Sequence, residues 1–242
     1  MTTIVAAVGR RHLPRGWSDL GRQLLIWFGF AVLYQLARGI ADRDPARAFS
    51  NGYHVLNFET GVFNRFYELT FQQFVDQRHL LETAVQWTYW NSEFTVVGLA
   101  ILWVYLRRHD SFYKFRNSVL LANVLGLFGY YLFPTAPPRM LGIGFVDQHR
   151  DGLVQLLANP YAAMPSLHAA DALIVGVVLF QASKHWWSKA VWAAWPAWVW
   201  FSVMATGNHF WLDCLAGTLV ALVSMAIVYR APVRRTLAAR RA

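Results

Sequence analysis

Residues 206–213, Thr-Gly-Asn-His-Phe-Trp-Leu-Asp, open an apolar run that continues to Tyr229. Gly207 and Asn208 break one predicted helix from the next, and we expect Asn208 to cap the second helix. His209 and Asp213 are four residues apart, so they share one face of that helix. A carboxylate beneath a histidine fixes its tautomer and leaves the other ring nitrogen as a nucleophile or base. Because an ionisable residue inside a spanning segment is expensive, Asp213 is a candidate functional residue.

The rest of the chain repeats this apolar pattern. A helix that crosses a bilayer needs roughly 20 mostly apolar residues. Six stretches approach that length: Leu20–Ile40, Ala84–Leu106, Phe115–Phe133, Ser166–Ser183, Lys189–Thr206 and Phe210–Tyr229. In the connection 41–83, the mixed apolar and charged segment Phe58–Val75 predicts an amphipathic helix in the membrane interface, with Glu59, Glu68 and Asp76 facing solvent. The sequence therefore predicts an all-α integral membrane protein, a single domain over residues 1–242, with six transmembrane helices and one or two interfacial amphipathic helices in the first outer loop.

Composition supports the membrane assignment and excludes other classes. Of the 242 residues, 56% are hydrophobic and only 14% are charged, an unusual balance for a soluble protein. The net charge of +9 does not indicate a nucleic-acid partner, because the basic residues lie between apolar runs rather than on one polar surface. A single cysteine, Cys214, excludes an internal disulfide and a cysteine-rich metal site. No cofactor is predicted.

The distribution of Lys and Arg predicts the orientation. With the N-terminal segment 1–19 and the basic tail 230–242 in the cytoplasm, fifteen Lys or Arg residues fall on that side and seven on the other. This bias matches the positive-inside rule and predicts a protein of the cytoplasmic (plasma) membrane with both termini inside the cell. Three polar clusters then share the outer face: the loop around Arg139 and the starts of the fourth and sixth helices.

The fourth predicted helix begins at a second polar motif, Met164–His168. Pro165 and Ser166 make a good helix opening, with Ser166 as the N-cap. A helix N-terminus attracts anions such as phosphate, and His168 lies in its first turn. Asp171 follows three residues later, where it either orients His168 or raises its pKa, or makes a hydrogen bond between helices.

The third motif is the loop Phe133–Met140, which contains three prolines. The prolines stiffen an extended segment and hold Arg139 near the interface. A guanidinium grips phosphate oxygens in a bidentate manner, although an interfacial arginine also extends towards lipid headgroups. Phosphate binding is the interpretation that fits the two histidines nearby.

Together, Ser166-Leu167-His168, the His209-x-x-x-Asp213 spacing and the upstream Pro137-Pro138-Arg139 resemble the type 2 phosphatidic acid phosphatase (PAP2) superfamily. Within it, the chain is most similar to the branch that contains inositol phosphorylceramide synthases, and the resemblance covers roughly 115–226. It implies a catalytic helix bundle, 115–229, in which His209 attacks phosphorus to form a phosphohistidine and Asp213 supports it.

The same resemblance assigns the remaining roles. His168 would protonate the leaving alcohol and then deprotonate water or an acceptor alcohol. The phosphate oxygens would be held without a metal by Arg139, Ser166, Gly207 and Asn208.

Two positions depart from the superfamily pattern. Leu132 stands where a lysine is usual, and Val203 stands where an arginine is usual. Arg139 therefore carries most of the phosphate binding. Arg116 would help only if its helix brought it close, although the predicted topology places it on the opposite side of the membrane.

The function predicted is a membrane lipid phosphatase or phosphotransferase. It would act on a lipid phosphate and pass the phosphoryl group or phospho-headgroup to water, an alcohol or a polyol, inositol-phosphate-type transfer included. The alternative is a non-catalytic phospholipid-binding or transport protein. A carrier needs polar residues that reach the membrane midplane from both sides, whereas here both histidines lie at one face. The sequence predicts no oligomeric state.

Overall fold

The computed structural model describes residues 13–40, 44–146 and 161–230. In these ranges the chain forms nine α-helices: α1 Gly16–Ile40, α2 Pro45–Phe63, α3 Tyr67–Asp76, α4 His79–Asn91, α5 Val97–Arg107, α6 His109–Leu132, α7 Leu167–Ala182, α8 Trp186–Ala205 and α9 Trp211–Arg230. A π-helical segment, Ser92–Val96, joins α4 to α5. The predicted all-α class is confirmed, since the described ranges contain no strand beyond a bridge between Thr135 and Ala162.

Each predicted apolar stretch coincides with a helix or, for Ala84–Leu106, with α4, the π segment and α5 together. By length and hydropathy, two of the described helices could cross a membrane, Gly16–Ala37 and Trp211–Arg230, and Leu167–Ala182 is apolar but shorter. These helices indicate a membrane protein, while the count of six spans remains a prediction. The predicted cytoplasmic segment 1–19 and basic tail 230–242 lie largely outside the described residues.

The first outer connection differs from the prediction of one helix over Phe58–Val75. It forms two helices, α2 and α3, because the chain turns at Asn64. Asn64 adopts a left-handed conformation with φ of 52°, and its N–H donates to the Thr60 carbonyl, which ends α2. Asparagine tolerates this conformation better than most residues, so it makes an effective helix stop.

Helix α7 packs against α6, α8 and α9 and forms the centre of the bundle. Its buried face includes Ile174 and Val175. The loop that precedes α7 lies directly on α9, where the Ser166 N–H donates to the Asp213 carbonyl over 2.9 Å. Only a glycine at position 217 permits this approach, because a Cβ there would lie 2.0 Å from the Ser166 carbonyl oxygen. The starts of α7 and α9 are thereby held side by side.

Candidate active site

The three motifs meet in one cleft at the end of the bundle where α7 and α9 begin. The rings of His168 and His209 lie 5.5 Å apart between centroids. The cleft is lined by Tyr89, Glu93, Tyr130, Pro137, Arg139, Ala162, Ala163, His168, Asn208 and His209. The predicted convergence of the three clusters is therefore present in the fold, while their location on the outer face remains a prediction.

His209 is almost fully buried, with 5% of its surface exposed. Its Nδ1 lies 2.9 Å from the Ala163 carbonyl oxygen and 3.4 Å from Asp213 Oδ2. Two acceptors on one ring nitrogen favour the tautomer that carries its proton on Nδ1, which we assign on that basis. Nε2 is then the nitrogen with a lone pair suited to nucleophilic attack.

Asp213 supports this arrangement from the first turn of α9. Its side chain is fully buried, and Oδ2 also accepts a hydrogen bond of 2.9 Å from the Phe210 N–H. Its carbonyl accepts from Ser166, as described above. Asp213 thus fixes both the imidazole of His209 and the loop that leads to His168.

His168 has its own carboxylate partner, which sequence reasoning missed. Its Nε2 lies 3.4 Å from Glu93 Oε2 and 3.2 Å from the Tyr89 carbonyl oxygen, and its ring stacks on Tyr89 at 4.9 Å. Glu93 is buried inside the π segment. π-Bulges within helices are frequent at functional sites, and a glutamate inside an apolar stretch is expensive, so Glu93 could have been singled out from its position in Ala84–Leu106.

Asp171, left open between two roles, lies against α6. The Asn123 side-chain amide donates to both carboxylate oxygens of Asp171 at 3.3 Å, and Asp171 is buried. This is a hydrogen bond between helices of the kind expected for a polar pair in a membrane bundle. A supporting role for Asp171 in the site remains a prediction.

Arg139 is fixed by the Gly207–Asn208 turn. Its backbone N–H donates to the Gly207 carbonyl at 3.0 Å, and its Nε donates to Asn208 Oδ1 at 2.9 Å. The Asn208 amide in turn donates to Thr206 Oγ1 at 2.8 Å. Gly207 has φ of +66°, a left-handed conformation that favours glycine. The guanidinium is therefore held at the cleft by the same turn that carries His209.

The prediction that Asn208 caps α9 is wrong, because its side-chain oxygen accepts from Arg139. Three carboxylates receive the N–H groups at the start of α9 in its place. The Phe210 N–H donates to Asp213, the Trp211 N–H to Glu68 and the Leu212 N–H to Glu59. A carboxylate satisfies a helix N-terminus better than a neutral amide does, because it also interacts favourably with the helix dipole.

Glu59 and Glu68 were expected to be solvated, and this expectation is wrong. Each side chain is only 1% exposed. The burial arises because α2 and α3 fold over the start of α9 rather than lying as one helix on the membrane surface. Asp76, at the end of α3, is exposed as expected.

Ser166 is the N-cap of α7 as predicted, since its Oγ accepts from the Ala169 N–H at 3.3 Å. The side chain is fully buried, and its hydroxyl lies against Cys214 of α9. Neither Ser166 nor Gly207 is among the described residues that line the cleft. Phosphate contact by either residue remains a prediction.

Arg116 does not reach the cleft. Its guanidinium donates to the side chains of Gln23 and Asn117. Arg116 precedes the cleft residue Tyr130 by fourteen positions on α6, which is about 21 Å along a helix. Of the arginines in the described ranges, Arg139 is the one that lines the cleft.

No group of three or more His, Cys, Asp or Glu side chains in the described ranges has the arrangement to hold a metal ion. The groups that the cleft does present are two imidazoles, each beside a carboxylate, and one guanidinium. Such a set suits nucleophilic attack, proton transfer and binding of an anion.

Comparisons with known proteins show what this chain is similar to. A phosphoinositol dihydroceramide synthase of Bacteroides thetaiotaomicron is 27% identical over 138 residues, which are 48% of this chain and 45% of the synthase. The match thus spans less than half the length of that relative. The crystal structure of Aquifex aeolicus LpxE shares the fold, with a TM-score of 0.54 and 19% identity over 66% of this chain and 92% of LpxE.

The family model described as the PAP2 superfamily matches residues 54–227. The matched region contains α3 to α8 and all residues that line the cleft. It also extends well beyond the stretch on which the sequence motifs were identified. This chain belongs to the PAP2 superfamily.

Proposed function

We propose that the protein is a membrane enzyme that cleaves a lipid phosphate ester, or transfers a phospho-headgroup, through a phosphohistidine on His209. One observation carries the proposal: two imidazoles lie 5.5 Å apart in a cleft that also holds Arg139. Each imidazole has a carboxylate within 3.4 Å, Asp213 for His209 and Glu93 for His168. This set provides a nucleophile, a general acid–base and a cation for the phosphate.

In the first step, the Nε2 lone pair of His209 attacks phosphorus, and the P–O bond to the leaving alcohol breaks. His168 donates the proton that the departing oxygen needs. Because Nε2 of His168 faces Glu93 and the Tyr89 carbonyl, we assign this proton transfer to Nδ1. The Ala163 carbonyl and Asp213 hold the Nδ1–H of His209 as its ring gains positive charge.

In the second step, His168 takes a proton from the acceptor, whose oxygen attacks the phosphohistidine. The N–P bond breaks, and its electron pair returns to Nε2 of His209. With water as acceptor the product is a phosphate, and with an alcohol or polyol it is a new phosphate ester. The same residues thus serve hydrolysis and transfer.

The substrate phosphate would be bound chiefly by Arg139. The amides of Phe210, Trp211 and Leu212 already donate to carboxylates and are not offered to an anion. Asn208 accepts from the Arg139 Nε and orients the guanidinium, whose planar set of donors matches phosphate oxygens. Loss of Arg139 would therefore weaken substrate binding more than loss of a single amide contact.

A lateral cavity supports a lipid substrate. Glu93 lines both the cleft and an adjoining cavity of about 290 Å³ beside α1. Its walls are mainly aromatic and aliphatic, among them Trp27, Phe28, Phe30, Tyr34, Phe94 and Val119. A hydrocarbon chain fits such a surface, so the lipid would enter from the side with its phosphate at the histidines.

The proposed membrane arrangement has six spans: α1, the α4–π–α5 unit, α6, α7, α8 and α9. Large apolar side chains are exposed on several of these helices, as lipid-facing surfaces require: Phe28, Leu33, Phe94, Leu99, Phe128 and Leu222. The positive-inside bias then places both termini in the cytoplasm and the cleft at the outer face.

The test uses purified protein in detergent with lipids labelled with ³²P at the ester phosphate. A simple lipid phosphate and a phosphoinositol lipid with a lipid-alcohol acceptor would be supplied in parallel. We expect an acid-labile, alkali-stable label on the protein, absent in His209→Ala and retained in His54→Ala, a histidine on the exposed side of α2. In His168→Ala the label should still form from a good leaving group but turn over slowly.

The products then separate the activities. Free phosphate that depends on His209 identifies a phosphatase, and a new phospholipid without free phosphate identifies a transferase. Full activity of His209→Ala would overturn the mechanism. Lipid binding with no product across both substrates would favour the carrier.

A further inference from the structure

Two buried glutamates converge on the first turn of α9, directly behind His209. Glu59 Oε1 accepts from the Leu212 N–H at 2.9 Å, and Glu68 Oε1 accepts from the Trp211 N–H at 2.8 Å. The turn at Asn64 between α2 and α3 brings the two carboxyl groups together. Both glutamates are 1% exposed, so water does not compete with the backbone N–H groups for their carboxyl oxygens.

The second carboxyl oxygen of each glutamate, Oε2, is buried and meets no hydrogen-bond donor within the described chain. The Oε1 atoms of Glu59 and Glu68 accept from the N–H groups of two consecutive residues, so the two carboxyl groups lie side by side. Two ionised carboxylates have acceptors only, so a hydrogen bond between them requires one proton. A pair that shares a single proton, and so carries one negative charge, satisfies both buried Oε2 atoms.

Burial, followed by the negative charge of Glu68, raises the pKa of Glu59 to about 9. Burial also raises the pKa of Glu68. From α9, Asp213 adds to both effects, and the Cys214 thiol lies within electrostatic reach of both glutamates. Both shifts favour retention of a proton by the pair at neutral pH.

This pair fixes the part of α9 on which the site depends. Trp211 and Leu212 lie between His209 and Asp213 in the sequence, and His209 Nδ1 is 3.4 Å from Asp213 Oδ2. A singly charged pair at a helix N-terminus is favourable, because it satisfies backbone donors and complements the helix dipole. A doubly charged pair would repel itself and Asp213 in a buried environment.

We propose that Glu59 and Glu68 form a proton-sharing clamp that positions the first turn of α9, and with it His209 and Asp213. The proposal rests on the proposed function in that His209 supplies the catalytic readout. Both glutamates are positioning residues, since their contacts are to the α9 backbone and to each other. The clamp extends the site into the first outer connection, which carries none of the superfamily motifs.

Glutamine substitutions test the shared proton. In Glu59→Gln the amide donates to Glu68 while its oxygen still accepts from Leu212, and in Glu68→Gln the roles are reversed. In the double variant two NH₂ groups face each other and neither accepts. We expect each single variant to keep at least about a third of the wild-type kcat, and the double variant to lose about tenfold or more with little change in KM, as for a buried hydrogen bond replaced by a repulsive contact.

A matched control is Glu82→Gln in α4. Glu82 Oε1 accepts from Gln86 one turn away, and the contact is only partly buried. This variant should behave as the wild type does. A double glutamine variant as active as the two singles would overturn the shared proton.

The pH profile provides a second measurement, valid even if the double variant does not fold. Above pH 9 the wild-type pair loses its proton, the carboxylates separate and kcat falls. Glu59→Gln should lack this decline, because its amide cannot deprotonate. An alkaline decline identical in the wild type and Glu59→Gln would overturn the clamp.

Thermal melting separates the clamp from the catalytic proposal. In a His209→Ala background, the double glutamine variant should lower Tm by more than the sum of the two single variants. That result would stand even if His209 proved dispensable for activity. Additive changes in Tm would refute the shared proton independently of any catalytic measurement.

Discussion

Replacement of Gly217 by alanine tests how tightly the two halves of the site are coupled. A Cβ at this position would lie 2.0 Å from the Ser166 carbonyl oxygen, whereas ordinary contact begins at 3.4 Å. The nearest atoms belong to the backbone of Ser166, which cannot rotate aside as a side chain can. The loop before α7 must therefore move away from α9 by about 1.4 Å, the difference between these two distances. The Ser166–Asp213 hydrogen bond of 2.9 Å breaks as it moves.

The magnitude follows from these two effects. Overpacking of a tight interior contact costs about 1–3 kcal/mol, and the lost backbone hydrogen bond adds about 1 kcal/mol. We therefore expect Gly217→Ala to lower the free energy of unfolding by about 2–4 kcal/mol. Because the loop leads directly into the first turn of α7, which carries His168, a shift of more than 1 Å relative to His209 should reduce kcat by about 100-fold.

The assay is Tm in detergent together with kcat on a lipid phosphate. Gly61→Ala is the control, since a Cβ on that exposed helical glycine meets no atom within 4 Å. It should stabilise the protein by about 0.5–1 kcal/mol through reduced chain entropy. If Gly217→Ala kept the wild-type Tm and kcat, the contact between the α7 loop and α9 would not set the geometry of the site.

Three further predictions concern Glu93, the pH dependence of stability and the membrane topology. Glu93→Gln should lower kcat about tenfold with little change in KM, because a charge-assisted contact to the general acid His168 becomes neutral. The control Glu82→Gln should not lower kcat. If Glu93→Gln and Glu82→Gln had the same kcat, Glu93 would have no part in the site. Raising the pH from 5 to 9 should lower Tm, because folded Glu59, with a pKa of about 9, keeps a proton that the unfolded chain releases near its ordinary value of 4.5. The slope from this group is at most about 1.4 kcal/mol per pH unit, and it should disappear in Glu59→Gln; a pH slope unchanged by that substitution would contradict the burial of its proton. A cysteine at exposed Gln77 should react with an impermeant maleimide in intact cells, and one at Lys184 only after lysis; the reverse pattern would invert the topology.

Helix positions followed from the sequence because hydrophobic runs and helix breakers are local signals. The start of α7 at Leu167 and of α9 at Trp211 lies within one residue of the predicted boundaries. His209 and Asp213 are paired as predicted, but not on one helix face: α9 begins at Trp211, so His209 lies in the turn before the helix and Asp213 reaches back to its ring. The superfamily match confirmed the resemblance carried by these motifs.

The errors concern polar side chains whose partners lie far along the chain. Glu59 and Glu68 looked like solvated positions of an interfacial helix, yet their partners on α9 are 153 and 143 residues away. Asn208 was predicted to cap a helix, yet its side-chain oxygen accepts a hydrogen bond from Arg139, 69 residues earlier. No local pattern indicates which donor or acceptor a buried polar group will meet.

The sequence by itself determined that this is an all-helical chain of a membrane enzyme superfamily, and it located the two histidines and Asp213. Local spacing and hydropathy are sufficient for that, because they depend on neighbours along one helix. The tertiary structure alone decided that Glu93 lies beside His168 and that Glu59 and Glu68 are buried at the first turn of α9. A buried charge is tolerated only where the packing of distant elements supplies its partner, so its role is a property of the fold rather than of its neighbours in sequence.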